Sequence, residues 1–335
     1  MLLEEKRMQT RRPIVTVIVP CYNLAAYISE CVNGLCLQEA SFPFEVIVCD
    51  DGSTDGSLEV LRRLSKRFTC LRVLSNERNL GLVGTMKRLV EETRGDFIAY
   101  MDGDDVALPG KIEALAGALI ADSNVSISYH EVEVFDSATG EVKSLYCRDF
   151  YNAKFLGEYS EPKDLLHYGI FLQASSVMFR RHPRMQEVLE HPCKIICDYP
   201  FHLGNAYSLG GRIRRIDSVL GRYRLHSSSF GALTLKSIDR RMQVTIDLIE
   251  AAEYSATFGA KRLDIEKSKV HSYFAASLYF LKAHEPKLFL SFIELAEKAS
   301  KDINYWFDER QHHLHSKRLV FSSLVDDLNN EAFGV

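Results

Sequence analysis

FIAYMDGDD, residues 97–105, joins an apolar run directly to three carboxylates within four positions. The apolar run predicts a buried strand, because a strand covered on both faces is apolar throughout. The carboxylates of Asp102, Asp104 and Asp105 follow at its end, and they repel one another unless a cation or hydrogen bonds intervene. Oxygen ligands suit a hard cation such as Mg²⁺ or Mn²⁺. Taken alone, the same stretch also fits a solvated turn that caps the next helix.

Upstream of this stretch, the sequence alternates between strand and helix patterns. Apolar runs predict strands at residues 14–19, 44–49 and 71–74. The segments between them repeat apolar residues at spacings of three and four, which predicts helices with one buried face. The first strand is expected to end at Pro20, and Asn23 to cap the helix after it. This alternation predicts an α/β fold with a mostly parallel sheet covered on both sides.

Downstream, the pattern changes twice. Alternating apolar residues from position 125 predict further strands, including a hairpin with its turn at Ser137-Ala138-Thr139-Gly140, so the second half of the sheet is expected to be mixed. From about residue 235, apolar stripes at helical spacing predict helices alone. The expected organisation is a disordered tail at 1–12, an α/β domain at 13–232 and a C-terminal all-helical domain at 233–335.

The composition argues against several classes of protein. The chain has 335 residues and a formal net charge of −4, so it has no general attraction for nucleic acid. No apolar run approaches the ~18–20 residues of a membrane-spanning helix, and the first residues lack the apolar stretch of a signal peptide. We therefore expect a cytoplasmic protein. Its eight cysteines lack paired metal-ligand spacing, which predicts reduced, structural thiols.

Polar residues follow all four predicted strands at the point where each strand ends. They are Pro20-Cys21-Tyr22-Asn23, Asp50-Asp51-Gly52-Ser53, residues 76–81 and Asp102-Gly103-Asp104-Asp105. Ligands of open α/β sheets bind at the carboxyl ends of the strands, so the four sets are expected to line one site. Each set alone also fits a turn or a helix cap. No GxGxxG follows the first strand, which argues against a dinucleotide-binding dehydrogenase.

In this order and spacing, and with Pro109 after the acidic cluster, these motifs resemble those of the family 2 inverting glycosyltransferases, which have the GT-A fold. The resemblance covers roughly residues 13–230. It implies a nucleotide-binding sheet flanked by helices, followed by an acceptor-binding half. It also implies a nucleotide-sugar donor, usually a UDP-sugar, and a divalent metal, Mn²⁺ or Mg²⁺. Bacterial members commonly build surface polysaccharides, so the implied acceptor is a saccharide or a lipid-linked saccharide.

Carried over residue by residue, the resemblance implies nucleotide contacts and metal ligands. The implied nucleotide contacts are Pro20, Tyr22, Asn23, Asp51, Gly81, Lys87, Asp102, Gly103 and Arg224. The implied metal ligands are Asp104, Asp102 and His226. Asp105 is expected to orient the loop instead. Lys87 lies where this chain departs from the family, since Thr85-Met86-Lys87 replaces the usual Ala-Arg-Asn run.

Two segments of the second half complete the resemblance. Ile196-Cys197-Asp198-Tyr199-Pro200 resembles the segment that supplies the catalytic base, although Cys197 replaces the acidic residue that usually precedes it. Inversion needs such a base, because a proton must leave the acceptor hydroxyl as its oxygen attacks the anomeric carbon. The alternative interpretation of Asp198 is a helix N-cap alone. Tyr223-Arg224-Leu225-His226 resembles the motif at the end of the domain. The alternative interpretation of His226 is a hydrogen-bonded structural residue.

The function expected from these observations is metal-dependent, inverting transfer of a hexose, with Asp198 as the general base. The alternative is a non-catalytic nucleotide-sugar-binding protein with the same fold. The C-terminal helices are expected to pack as core. Further possible roles are to cover the acceptor site, to form a homodimer interface, or to contact the inner face of a membrane peripherally. His312, His313 and His315 are expected to form only a polar helix face.

Overall fold

The computed structural model describes residues 12–150 and 152–305. The predicted tail before Arg12 and the histidine tract at 312–315 lie outside the described residues. The first half contains four strands, each followed by a helix. The strands are β1 (Val15–Cys21), β2 (Phe44–Asp50), β3 (Leu71–Ser75) and β4 (Phe97–Tyr100). The helices are α1 (Ile28–Cys36), α2 (Ser57–Ser65), α3 (Gly81–Glu91) and α4 (Lys111–Ala121), with the two-residue strand β5 (Val106–Ala107) before α4.

These four strands form the parallel part of the sheet, in the order β3-β2-β1-β4. Every residue of β1 is buried, as its mainly apolar sequence predicts. The predicted end of β1 at Pro20 is wrong, because Pro20 still pairs with Cys49 of β2. A proline is tolerated here because β4 pairs with β1 only as far as Ile18. On the side that faces β4, the lack of an N–H at Pro20 therefore costs no hydrogen bond between strands.

The second half of the sheet is mixed, as the sequence predicts. Its strands are β6 (Val125–Asp136), β7 (Val142–Leu145), β8 (Tyr159–Ser160), β9 (Val177–Arg180) and β10 (Arg212–Leu225). β9 lies antiparallel between β4 and β6, and β10 runs parallel to β6 and antiparallel to β5. The hairpin of β6 and β7 is confirmed. β10 was not predicted, because its many charged residues hide the strand pattern.

Helices cover both faces of the sheet and continue to the end of the described chain. The remaining helices are α5 (Pro162–Tyr168), α6 (Met185–Val188), α7 (Asp198–Leu209), α8 (Phe230–Leu235), α9 (Ile238–Tyr254), α10 (Arg262–Lys282) and α11 (Pro286–Asp302). Pro286 occupies the first turn of α11, as predicted. Within residues 12–150 and 152–305, no helix combines the length and the hydropathy that crossing a membrane requires.

The first of the C-terminal helices share a core with the sheet. α1, α2 and α4 pack on one face of the sheet, while α3 and α7 pack on the other. Val244 and Ala251 of α9 and Ile265 of α10 are buried in the same cluster as Phe179 and Phe201. Burying each large apolar side chain contributes about 1.5–3 kcal/mol, so this contact holds α9 against the sheet domain. α10 and α11 form a separate small core of their own.

Candidate functional site

A cavity of about 600 Å³ opens at the carboxyl ends of β1, β2 and β4. We call it the strand-end cavity. Eight of the residues predicted for the site line its wall. These are Pro20, Tyr22, Asp51, Gly81, Asp102, Gly103, Asp104 and Asp198. Four predicted residues are not part of this wall, namely Asn23, Lys87, Arg224 and His226.

Asp51 organises the loop between β3 and α3. Its Oδ1 accepts hydrogen bonds from the Nδ2 of Asn76 at 2.7 Å and from the backbone N–H of Leu80 at 2.8 Å. Gly81, the first residue of α3, has a φ of +76°, a conformation that glycine adopts without strain. The buried carboxylate of Asp51 therefore fixes the entry of α3 beside the cavity.

Gly103 lets the acidic loop pack against the loop that follows β1. A Cβ at this position would lie 2.9 Å from Cδ1 of Leu24 and 3.0 Å from the carbonyl oxygen of Pro20. These distances are shorter than normal carbon contacts, so the close approach of the two loops requires glycine. The sequence indicated a close approach to a ligand, whereas the neighbour in the structure is the chain itself.

Asp105 is held entirely by protein groups. Its Oδ2 accepts from the Oγ of Ser175 at 2.6 Å and from the Nε2 of Gln173 at 3.0 Å. Its Oδ1 accepts from the backbone N–H of Arg224 at 2.9 Å. Burial and the charge of Asp104 raise the pKa of the Asp105 carboxyl. The side chain thus joins three separate segments and is turned away from the cavity wall.

Asp102 lies between this buried network and the cavity. Its Oδ1 accepts from the hydroxyl of Tyr100 at 2.5 Å, and its backbone N–H donates to the Oγ of Ser175 at 2.9 Å. Burial, followed by the charges of Asp105 and Asp104, raises the pKa of the Asp102 carboxyl well above its usual range. A cation or a hydrogen-bond donor in the cavity would stabilise the ionised form of this carboxyl.

A buried lysine beneath the acidic loop was not predicted. The Nζ of Lys111 donates to the carbonyl oxygen of Ser175 at 2.5 Å and lies 3.1 Å from the Sδ of Met101. Burial lowers the pKa of Lys111 to about 8, although the nearby Asp105 and Asp102 oppose the shift. The sequence shows a lysine at the start of α4, but a lysine at the start of a helix normally points to solvent, so its burial could not be predicted.

Asp104 and His226 meet at the edge of the strand-end cavity. The Oδ2 of Asp104 and the Nε2 of His226 are 3.0 Å apart, and the Nδ1 of His226 lies 2.9 Å from the Oγ of Ser228. One carboxylate oxygen and one imidazole nitrogen at this separation fit joint coordination of Mn²⁺ or a similar ion. In residues 12–150 and 152–305, no group of three or more side chains forms a complete metal site.

Arg224 does not point into the strand-end cavity, contrary to its predicted contact with the diphosphate. Its Nε donates to the carbonyl oxygen of Asp104 at 2.7 Å, and its Nη2 pairs with the carboxylate of Glu30. The guanidinium also stacks over the rings of Tyr27 and Phe135. Its donors face protein acceptors because β10 passes directly beside the acidic loop. Arg224 therefore holds the backbone of Asp104 in place.

Two further predicted nucleotide contacts lie elsewhere. The Nζ of Lys87 forms an ion pair with Glu190 at 2.7 Å, because Lys87 lies on the side of α3 that faces α6 rather than on its cavity side. Asn23 has a φ of +54°, and its Oδ1 accepts from the backbone N–H of Thr54 at 2.9 Å. It joins two loops instead of capping α1, whose N-cap residue is Tyr27.

Asp198 is the first residue of α7 and lines the strand-end cavity. Burial raises the pKa of its carboxyl, and hydrogen bonding to the backbone N–H of Tyr199 opposes this shift. The segment before it is held by a residue that was not predicted. The buried Asp247 of α9 accepts at Oδ2 from the backbone N–H groups of Ile195 at 2.7 Å and Ile196 at 3.0 Å. No local pattern marks Asp247, since it lies 51 residues beyond Ile196.

Comparison with known proteins finds a family model and relatives that are similar to the first half of the chain. Residues 16–181 match the model of the family described as Glycosyl transferase family 2. An uncharacterized glycosyltransferase of Haemophilus influenzae is 28% identical over 225 residues, which cover 64% of this chain and 67% of that protein. The chain spans 59% of the length of the mycobacterial relatives of unassigned function that it matches at 27% identity.

Two solved structures share the fold. The mannosyltransferase PcManGT of Pyrobaculum calidifontis, in complex with GDP-Man and Mn²⁺, has a TM-score of 0.55 at 20% identity and covers 97% of this chain and 87% of its own. The structure of TarS residues 1–349 from S. aureus, in complex with UDP-GlcNAc, has a TM-score of 0.53 at 16% identity. The match covers 88% of this chain and 93% of the TarS chain. The expected GT-A fold is thus confirmed, and together these matches support a glycosyltransferase.

Proposed function

Because residues 16–181 match the model of glycosyl transferase family 2, we propose that this chain transfers a hexose from a nucleotide-sugar donor to an acceptor hydroxyl, with inversion at the anomeric carbon. One observation carries the proposal. The strand-end cavity brings Asp51, Asp102 and Asp104 together with Asp198, a residue almost a hundred positions further along the chain. A turn that merely capped a helix would not need a carboxylate from a distant segment on the same wall.

The donor would lie against the loops that follow the strands. Tyr22 is 46% exposed and can stack on a nucleobase, and Asp51 can accept a hydrogen bond from a base N–H. Asp104, with His226 beside it, would hold a divalent cation together with the diphosphate. When bound, the cation would neutralise the negative charge that develops on the departing diphosphate. A UDP-sugar is the donor we propose, as the resemblance of the motifs implies. The TarS structure contains UDP-GlcNAc, whereas the PcManGT structure contains GDP-Man, so the donor panel includes both nucleotides.

Asp198 would act as the general base. Its carboxylate takes the proton of the acceptor hydroxyl while that oxygen forms a bond to the anomeric carbon. The bond from the anomeric carbon to the diphosphate breaks on the opposite face, and its electron pair leaves with the nucleoside diphosphate. A carboxyl with a raised pKa is a stronger base than an ordinary aspartate once it is ionised, which suits this role.

The acceptor class that we propose is a saccharide or a lipid-linked saccharide. Homodimerisation through the C-terminal helices and peripheral contact with a membrane stay predictions.

The donor site is tested by equilibrium binding of UDP with Mn²⁺, with and without EDTA. Asp104→Ala is expected to weaken Mn²⁺-dependent binding at least tenfold, since it removes a ligand carboxylate. Lys87→Ala is the matched control, because its side chain is paired with Glu190 outside the cavity. Equal affinity of wild type and Asp104→Ala would contradict the metal assignment.

Catalysis is tested by release of the nucleoside diphosphate from a panel of UDP-sugars and GDP-Man in the presence of acceptor saccharides. Asp198→Asn is expected to bind UDP as the wild type does and to lose at least a hundredfold in kcat, because the base is absent. Wild-type transfer by this variant would show that Asp198 is not the base. Tight nucleotide binding without turnover in the wild type would favour a non-catalytic nucleotide-sugar-binding protein.

A further inference from the structure

A second cavity of about 520 Å³ adjoins the strand-end cavity. We call it the helix cavity, because α8, α9 and α10 supply most of its wall. The wall is mainly apolar and includes Phe150, Leu235, Phe274, Ala275 and Leu278. Its volume is within the range of small-molecule sites, roughly 300–1,000 Å³. Nothing in the proposed donor site or in the proposed transfer uses this space.

The helix cavity and the strand-end cavity share part of their walls. Six residues border both spaces, namely Tyr146, Ile170, Phe230, Gly231, Val244 and Leu248. Asp198 lines the strand-end cavity only, in a wall that also contains the boundary residues Val244 and Leu248. A molecule whose hydroxyl lies at Asp198 can therefore continue across the boundary into apolar surroundings.

The surface beside the helix cavity is apolar and flanked by cations. Phe230 and Leu235 of α8 are 42% and 72% exposed, although both line the cavity. The guanidinium of Arg240 lies 4.5 Å from the centre of the Phe230 ring, and Lys236 is exposed next to Leu235. Lys282 stands in the cavity wall and forms no ion pair with a described residue. Exposed apolar side chains among lysines and arginines are typical of a segment that meets amphiphiles at an anionic lipid surface.

A saccharide alone does not account for this arrangement. Sugars offer a hydroxyl at almost every carbon, and these need hydrogen-bond partners when buried. A hydrocarbon chain needs none, and each methylene that it buries contributes about 0.8 kcal/mol. The chemistry of the wall therefore fits a hydrocarbon chain better than a second sugar.

We propose that the helix cavity binds the hydrocarbon chain of an amphiphilic acceptor whose hydroxyl-bearing head lies at Asp198. This inference rests on the proposed transfer reaction and specifies its acceptor as lipid-linked. The C-terminal helices then act as an acceptor site, since α8, α9 and α10 form the wall that holds the chain.

The test measures binding of dodecyl β-glucoside, below its micellar concentration, and of methyl β-glucoside to the full chain by calorimetry without donor or metal. The dodecyl compound is expected to bind at least tenfold more tightly. Ala275→Trp, which fills the helix cavity, is expected to abolish this preference. Ala121→Trp, at the exposed end of α4, is the matched control and should keep it. Leu278→Gln makes the wall polar and serves as a second variant if Ala275→Trp does not fold.

The outcomes separate this inference from the proposed function. Equal binding of the two glucosides, or wild-type dodecyl binding in folded Ala275→Trp and Leu278→Gln, would overturn the inference. Chain-dependent binding without sugar transfer would support the helix cavity as a chain site and refute the transfer reaction. Sugar transfer without chain-dependent binding would support the transfer reaction and refute the helix cavity as a chain site.

Discussion

At Asp198 a carboxylate is both half-buried and placed at the N-terminus of a helix. The two environments act in opposite directions on its pKa. Burial disfavours the charged form, whereas the backbone N–H groups of the first turn favour it, and burial is the larger effect. Once ionised, this carboxylate is a stronger base than a solvated aspartate.

We therefore predict that kcat/KM of the transfer reaction decreases as the pH falls through the raised pKa of Asp198. The ionised form is the active base, so activity is constant above this pKa and is lost below it. The midpoint of the acidic limb is expected above about 3.9, the ordinary value for an aspartate. A pH profile of kcat/KM measures it.

The control for this profile is UDP binding with Mn²⁺ over the same pH range, since the acidic loop also titrates. If UDP binding decreases in parallel with kcat/KM, the loss of activity at low pH arises from the donor site and not from Asp198. A midpoint at or below the ordinary aspartate value would contradict the role of Asp198.

Among the elements, β10 supports the acidic loop that follows β4. The Arg224 backbone N–H donates to Asp105, and the guanidinium donates to the carbonyl oxygen of Asp104. The pairing of the guanidinium with Glu30 connects the same strand to α1. One residue of β10 thus contacts both the acidic loop and α1. Arg224, a predicted ligand of the diphosphate, thus supports the acidic loop in this structure.

We predict that Arg224→Met weakens Mn²⁺-dependent UDP binding about tenfold and lowers the free energy of unfolding by about 1–3 kcal/mol, since buried acceptors lose their donor. Arg222→Met is the matched control, because Arg222 lies on the same strand and pairs with Glu133 away from the loop. Titration calorimetry and urea unfolding measure the two quantities. If both variants bind UDP equally well, the guanidinium does not position the loop.

For the molecule as a whole, the C-terminal helices belong to the site. α9 buries its apolar face in the core of the sheet domain, and Asp247 on that helix accepts two backbone hydrogen bonds from the segment that leads to Asp198. The same helix contributes Val244 and Leu248 to the boundary between the two cavities. The helical region therefore both positions the proposed base and borders the proposed chain site.

We predict that Asp247→Ala reduces kcat at least tenfold while UDP binding stays within about twofold of the wild type. The N–H groups of Ile195 and Ile196 lose their acceptor, so the position of Asp198 is no longer determined. Asp239→Ala, an exposed change in the first turn of the same helix, is the control and should leave kcat unchanged. Steady-state kinetics and UDP binding, measured well below Tm, separate positioning from unfolding. A folded Asp247→Ala variant with the kcat of the wild type would show that Asp247 does not position Asp198.

The sequence by itself was sufficient for the parallel half of the sheet, the hairpin and the acidic cluster at the end of β4. These features depend on local periodicity and on residues that are neighbours along the chain, so a single window of sequence contains the information. The resemblance to a known family added Asp198, which no local pattern distinguishes from a helix N-terminus.

Only the tertiary structure decided the partners of Arg224, Lys111 and Asp247. Arg224 and Glu30 are 194 positions apart, and they meet because β10 passes beside the acidic loop near α1. β10 itself escapes prediction, since half-buried charged residues along it mask the alternation of a strand. Lys111 is buried because the carbonyl group of Ser175 lies below the acidic loop, and the segment that carries it comes more than sixty positions later. Such contacts follow from the order of strands in the sheet, which depends on the packing of the whole chain and on no local pattern.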